Sequence, residues 1–235
     1  MSKTNLKKYN ILFILTDDQG EWALGCSGNK EIITPNLDNM AKGGVRMENF
    51  FCISPVCSPA RASILTGRIP SQHGVHDWIW GGSGKYDKLQ WGGTGEIEYL
   101  QGQEAYTDIL ARNGYTCGMV GKWHLGHSDL PQKSFSHWYV FYAGASSYFN
   151  AQMVRWKDGK LIEETTNGYL TDVITEDAIG FIEEHGKDDN PFCLHVHYNA
   201  PHRPWKNNHP AEMIELYRDC PFETLPQEPK HLYGF

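Results

Sequence analysis

The chain has 235 residues, enough to bury the core of one sizeable domain. Its formal net charge is −7, from 21 Lys and Arg against 28 Asp and Glu. That balance argues against a general nucleic-acid binder or a binder of anionic membranes, while leaving room for a local basic pocket.

Six cysteines are too sparse in a chain of this length for a disulfide scaffold, and no apolar stretch approaches a bilayer span. Lys3, Lys7 and Lys8 precede the apolar run Ile11–Leu15, which is too short for the core of a signal peptide. The expectation is a cytoplasmic chain. ILFIL itself reads as a strand buried on both faces of a parallel sheet. It ends on Asp17-Asp18, adjacent carboxylates that a buried strand end does not keep without a use; a solvated loop is the alternative. Hard oxygen ligands of this kind suit calcium or magnesium. Thr34-Pro35 opens a short helix closed by Gly43-Gly44, and Val45 to Phe51 reads as a second, weaker strand.

The stretch CSPARASILTGR, Cys57 to Arg68, reads as a helix start carrying a reactive group. Ser58 is an N-cap type, Pro59 suits the first helical position and Gly67 is a terminator. Cys57 then stands just outside the positive helix end, and Arg61 leans back toward it. The combination suits a tetrahedral oxyanion. The plainer reading is a small cysteine buried in a Pro-containing turn.

Trp78 to Gln103 is rich in glycine and aromatics and reads as a long surface loop, facing substrate or simply solvated. Gly84-Lys85 is followed by Tyr86, so it is not a nucleotide loop. Glu104 to Asn113 is read as a helix, and Tyr115 to Val120 as a strand running into GKWHLG, with Lys122 and His124 in or after that turn. Tyr169 to His185 is the clearest amphipathic helix, with Leu170, Val173, Ile174, Ala178, Phe181 and Ile182 on one face. Pro191 to Asn199 is a strand leading to His202. In it, His195 and His197 share a face and read as structural. His73 and His76 are too closely spaced for a zinc finger. Alternating strands and helices predict an α/β sandwich around a mostly parallel sheet, with Asp17-Asp18, Lys122–His124 and His202 all following strand ends.

Cys57, Pro59 and Arg61 match the C-x-P-x-R signature of type I sulfatases. The strings LTDDQG, GKWHLG and NAPHRP are similar to that family's other motifs, in order, over about Tyr9 to Pro204. The resemblance implies an alkaline-phosphatase-like sulfatase fold that hydrolyses a sulfate ester of a small molecule or carbohydrate. It implies Asp17, Asp18 and Cys57 as ligands of a divalent metal, calcium or, alternatively, magnesium. Cys57 would be oxidised to the nucleophile formylglycine by a formylglycine-generating maturation enzyme. Arg61 would steady its hydrate, and Lys122, His124 and His202 would hold sulfate oxygens or serve the leaving group. A phosphonate monoester or phosphodiester hydrolase and an inactive sulfatase-like binding module are the alternatives. The family's later Asp-Asn metal pair, later lysine and C-terminal subdomain have no counterpart here, since Asp189-Asn190 precedes its strand. The expectation is therefore an N-terminal catalytic portion, residues 1–235, incomplete at its C-terminus and prone to associate.

Overall fold

The computed structural model describes residues 8–84 and 96–224. They fall into two compact units, one built from the segment ending at Asp18 with Phe51–Asn208, the other from Gln19–Phe50 with the segment from His209.

The first unit is organised by a six-stranded sheet. Its strands are β1 (Ile11–Leu15), β2 (Thr116–Lys122), β3 (His137–Phe141), β4 (Gln152–Lys157), β5 (Lys160–Thr165) and β6 (Phe192–His197), in spatial order β1-β6-β2-β3-β4-β5. β1, β6, β2 and β3 run parallel, whereas β4 and β5 extend the sheet antiparallel. The expected mostly parallel sheet is thus mixed, a parallel core with an antiparallel edge.

The helices of this unit are α2 (Cys57–Thr66), α3 (Pro70–His73), α4 (Tyr106–Arg112) and α5 (Leu170–His185). Successive strand residues point to opposite faces. Cys117, Met119, Trp138, Val140 and Cys193 pack with Ala62 and Leu65 of α2 and Leu110 and Ala111 of α4. Their neighbours Val120, Tyr139, Phe141, Leu194 and Val196 pack with Leu170, Ile174, Ala178 and Phe181 of α5. The expected sandwich is present. Each fully buried Leu, Ile or Phe contributes roughly 1.5–3 kcal/mol by leaving water.

Three expectations change. β1 was expected to be buried on both faces, but it is an edge strand, and Leu12 and Ile14 are 48% and 47% exposed. Helix α5 covers β6 and β2, so an apolar run here signals one covered face and not two. Val45–Phe51 forms no strand: no ladder pairs it among the described residues, and Val45, Phe50 and Phe51 are largely exposed. Conversely, β3, β4 and β5 were not anticipated. Asp158-Gly159, both at positive φ (52° and 73°), form the two-residue turn between β4 and β5. An Asp-Gly pair between apolar runs is the signal that was available.

The second unit contains a 3₁₀ turn at Gly25–Ser27, α1 (Pro35–Gly43) and α6 (Ala211–Glu215). α1 has the predicted bounds. Asp38 accepts bonds from the Cys26 N–H (2.7 Å) and the Thr34 hydroxyl (3.1 Å), tying α1 to the turn before it. No helix among the described residues is long and apolar enough to cross a membrane.

Candidate active site

The strand register gathers the candidate residues. Leu15 of β1 and Gly121 of β2 both stand opposite His197 of β6, so three parallel strands end level. In open α/β sheets, ligands bind beyond such carboxyl ends. The Asp17 N–H donates to the Ala200 carbonyl at 3.1 Å, joining the loops after β1 and β6. Gly121 makes the close approach of β2 to β6 workable. It has φ 98°, and a Cβ there would lie 2.0 Å from the His197 carbonyl oxygen. A larger residue would push the strand ends apart.

α2 begins two residues earlier than the sequence reading placed it, and takes in Cys57, which that reading put just outside the helix. Val56 is the N-cap, Cys57 is the first helical residue and Pro59 the third. The Ser58 hydroxyl does not cap the helix; it accepts the Ile79 N–H (3.3 Å). Pro59 has no N–H to leave unsatisfied, so it is tolerated in the first turn. Gly67 ends the helix at φ 66°, its N–H on the Ser63 carbonyl. Cys57 is half-buried. Burial, reinforced by Asp17, pushes its thiol up from the ordinary value, against the opposing pull of Lys122 and Arg61.

The two carboxylates diverge. Asp17 is buried, ion-paired to the Lys122 ammonium and 3.6 Å from the Arg61 guanidinium. Asp18 has a side chain 61% exposed, and its Oδ2 faces His202 Nε2 at 3.7 Å. Asp18 has φ 64°, in the left-handed region, as does His124 at φ 52°. Such backbone costs about 1–3 kcal/mol for a non-glycine residue and tends to mark functional sites.

Lys122 is not on a surface turn. It is the last residue of β2 and has no exposed surface. Burial and the neighbouring Arg61 lower its pKa, while Asp17 opposes them. Arg61 is equally buried and donates through one Nη to the Lys122 carbonyl (3.1 Å) and to His197 Nδ1 (2.8 Å).

His124 is buried as well. It donates from Nε2 to the Ile79 carbonyl (3.1 Å) and meets Trp78 edge-on. A carbonyl only accepts, so Nε2 carries the proton and Nδ1 is a bare lone pair. Nδ1 is buried without a hydrogen-bond partner among the described residues. Burial and, secondarily, Lys122 pull His124 down to about 3, so the ring is neutral. Gly144 lies against it: a Cβ there would be 2.3 Å from Cε1. His202 donates from Nδ1 to the Arg203 carbonyl (2.7 Å), leaving Nε2 toward Asp18.

Every candidate therefore lies in the first unit: Asp17, Asp18, Lys122, His124 and His202 on or beyond the ends of β1, β2 and β6, and Cys57 and Arg61 in the first turns of α2. The sequence reading took His195 and His197 of β6 as structural and did not single out Asn199, two residues beyond that strand. His197 touches Arg61, His195 touches His197 (3.1 Å), and Asn199 is buried with its Oδ1 lacking a hydrogen-bond partner among the described residues. The signal was present, because polar residues at 195, 197 and 199 alternate through an apolar strand and just beyond it. His73 is structural, bonded to the Ser63 hydroxyl (2.9 Å) and the Val75 N–H (3.1 Å). The expected surface loop from Trp78 contributes Ile79 and Leu100 to the core and pairs Glu98 with Gly126; residues 85–95 lie outside the described residues. Glu96, His127 and Asp129 form a separate cluster with ligand atoms within 4.8 Å of one another.

The family model described as Sulfatase matches residues 9–223. An N-acetylglucosamine-6-O-sulfatase of Bacteroides thetaiotaomicron is 35% identical over 205 residues, 86% of this chain and 32% of that protein. A mouse N-acetylgalactosamine-6-sulfatase is 32% identical over 213 residues, 83% of this chain and 40% of that protein. Among solved structures, BT4656 in complex with its substrate D-glucosamine-2-N,6-O-disulfate matches with a TM-score of 0.68 at 35% identity, covering 85% of this chain and 36% of that one. Ps i-CgsB matches with a TM-score of 0.75 at 27% identity, covering 92% and 50%. The chain spans 32% and 40% of the length of these two curated relatives.

Proposed function

Because the chain belongs to the sulfatase family, we propose that it carries the site of a sulfuric ester hydrolase centred on Cys57. The observation that carries this reading is the buried Asp17–Lys122–Arg61 cluster beside the half-exposed Cys57 at a helix start. Two buried cations next to a helix N-terminus suit a tetrahedral anion. The relatives' named substrates make a sulfated amino sugar the substrate class of choice.

The residues fit the groups that the family implies. A thiol pushed up by burial stays protonated at neutral pH and is a poor nucleophile and ligand, so Cys57 gains its use on conversion by a formylglycine-generating enzyme. Formylglycine supplies an aldehyde whose hydrate offers a hydroxyl nucleophile. Asp17, Asp18 and the converted Cys57 would hold a divalent cation through oxygen, the donor type that calcium and magnesium prefer, and such an ion neutralises developing negative charge.

The remaining side chains then have distinct tasks. Lys122 is a point charge for sulfate oxygens, and Arg61 a planar donor that steadies the group at position 57. The bare Nδ1 of His124 can accept a hydrogen bond, and so orients a substrate hydroxyl and does not protonate one. His202, less buried and with Nε2 3.7 Å from the Asp18 carboxylate, stands where it can serve the leaving alcohol.

The test is to co-produce the chain with a formylglycine-generating enzyme, determine the mass of the Cys57 peptide, and compare rates on matched aryl sulfate and aryl phosphonate esters. Conversion with faster sulfate cleavage is the expected result. An intact thiol would point to an inactive binding module, and a preference for the phosphonate to a phosphonate or phosphodiester hydrolase.

A further inference from the structure

A chain of buried polar groups runs away from Arg61 beneath the sheet face covered by α2 and α4. The Arg61 guanidinium reaches His197 Nδ1 at 2.8 Å; His197 Nε2 lies 3.1 Å from His195 Nδ1; His195 Nε2 is hydrogen-bonded to the Tyr106 hydroxyl. Both histidines are buried, and Phe13 stacks on His195 with ring centroids 4.9 Å apart.

The protons in this chain follow from one fact: a guanidinium only donates. His197 Nδ1 lies 2.8 Å from the guanidinium and 3.1 Å from the Lys122 carbonyl oxygen, which accepts from the same Nη; a proton on Nδ1 would face that Nη–H across the shorter contact, so Nδ1 accepts and the ring proton sits on Nε2. That proton faces His195 Nδ1, which must also accept, leaving the His195 proton on Nε2 and directed at the Tyr106 oxygen. The Tyr106 O–H is then free to donate onward to the Cys193 thiol, with which it interacts. Every link points the same way, away from Arg61. Burial agrees with neutral rings, pulling His195 down to about 4 and His197 well below its usual range.

We infer that Tyr106, His195 and His197 are positioning residues that fix the Arg61 guanidinium at the site through a one-way hydrogen-bonded chain of neutral groups. The importance of Arg61 to hydrolysis rests on the proposed function; the chain itself does not. A neutral acceptor satisfies the guanidinium without adding a second negative charge beside Asp17. Without the His197 acceptor, one buried Nη–H bond is lost and the guanidinium keeps only the Lys122 carbonyl and its 3.6 Å approach to Asp17.

The experiment uses the full chain labelled with ¹⁵N-histidine and ¹⁵N-arginine. Near neutral pH, His195 and His197 should each give a pyridine-type Nδ1 and a pyrrole-type Nε2. A protonated Nδ1 on His197, or an imidazolium pattern, overturns the inference without reference to activity. Hydrogen exchange of the Arg61 Nη protons should be slow in the wild type, roughly ten-fold or more faster in His197→Leu, and close to wild type in His197→Asn, whose Oδ1 replaces the Nδ1 acceptor. On a formylglycine-converted chain, His197→Leu should lower kcat by roughly ten- to a hundred-fold with KM little changed, and His197→Asn should recover most of it. Equal losses in the two variants at equal melting temperature would overturn the positioning role. A converted wild type without turnover would instead count against the proposed function, while the exchange and tautomer data still judge the chain.

Discussion

The two faces of β2 and β6 are made of alternate residues of the same strands, yet they differ in kind. Against α5, β6 presents Phe192, Leu194 and Val196, packed with Leu170, Ile174, Ala178 and Phe181. Toward α2 and α4, the same strand presents Cys193, His195 and His197, and beyond its end Lys122 and Arg61 are buried with Asp17. Burying polar groups costs free energy unless they are paired, so the first face holds the fold together and the second holds a site in place. A strand whose alternate positions turn polar while both faces stay buried marks the side on which chemistry is supported.

The difference can be broken most severely at Lys122. Lys122→Met keeps the side-chain length but removes the charge. It should lower kcat/KM on an aryl sulfate by about 10²–10³-fold, the usual cost of a lost oxyanion donor. Because Asp17 is left buried with one partner fewer, urea unfolding should also show a loss of about 3–5 kcal/mol.

On the apolar face the two readouts should separate. Phe181, on α5, is buried against Phe192 in an edge-on ring contact. Phe181→Ala should cost about 3–5 kcal/mol in urea while leaving kcat per folded molecule unchanged. A fall in kcat of the size seen at Lys122 would show that the faces are not independent.

A pH series sharpens the contrast. His195 is held neutral, with its value lowered from 6.5 to about 4. The unfolded chain takes up a proton below about 6.5 that the folded chain refuses until about 4, so stability is full above that window and falls as pH drops through it. The His195 share of the fall is about 3 kcal/mol, at 1.36 kcal/mol per unit. Urea midpoints measured across this range should show it, with a shallower slope in His195→Gln. The smallest effect belongs to the helix end: Gly67 stands in open space at φ 66°, so Gly67→Ala should cost only the left-handed backbone penalty, about 1 kcal/mol.

Much of the site was legible because its parts are local. Asp17-Asp18, the α2 start, GKWHLG and His202 each follow a strand or open a helix, and strands β1, β2 and β6 were read from their apolar runs. What was not legible depends on burial and on distant pairing. Nothing local says that Lys122 is the last strand residue and wholly buried, or that His124 is neutral with an open Nδ1. The contact between Arg61 and His197 joins residues 136 positions apart. Val45–Phe51 shows the opposite failure, since apolar and β-branched content makes a strand only where a neighbour supplies the ladder.

The account's central claim is that Cys57, matured to formylglycine, is the nucleophile of a sulfatase site at the ends of β1, β6 and β2. The most direct measurement is aryl sulfate hydrolysis, in excess calcium, by the chain co-produced with a formylglycine-generating enzyme, alongside Cys57→Ala prepared identically. The account predicts turnover that falls to background in the variant. Equal rates in the two proteins, or a fully converted chain without turnover, would contradict it.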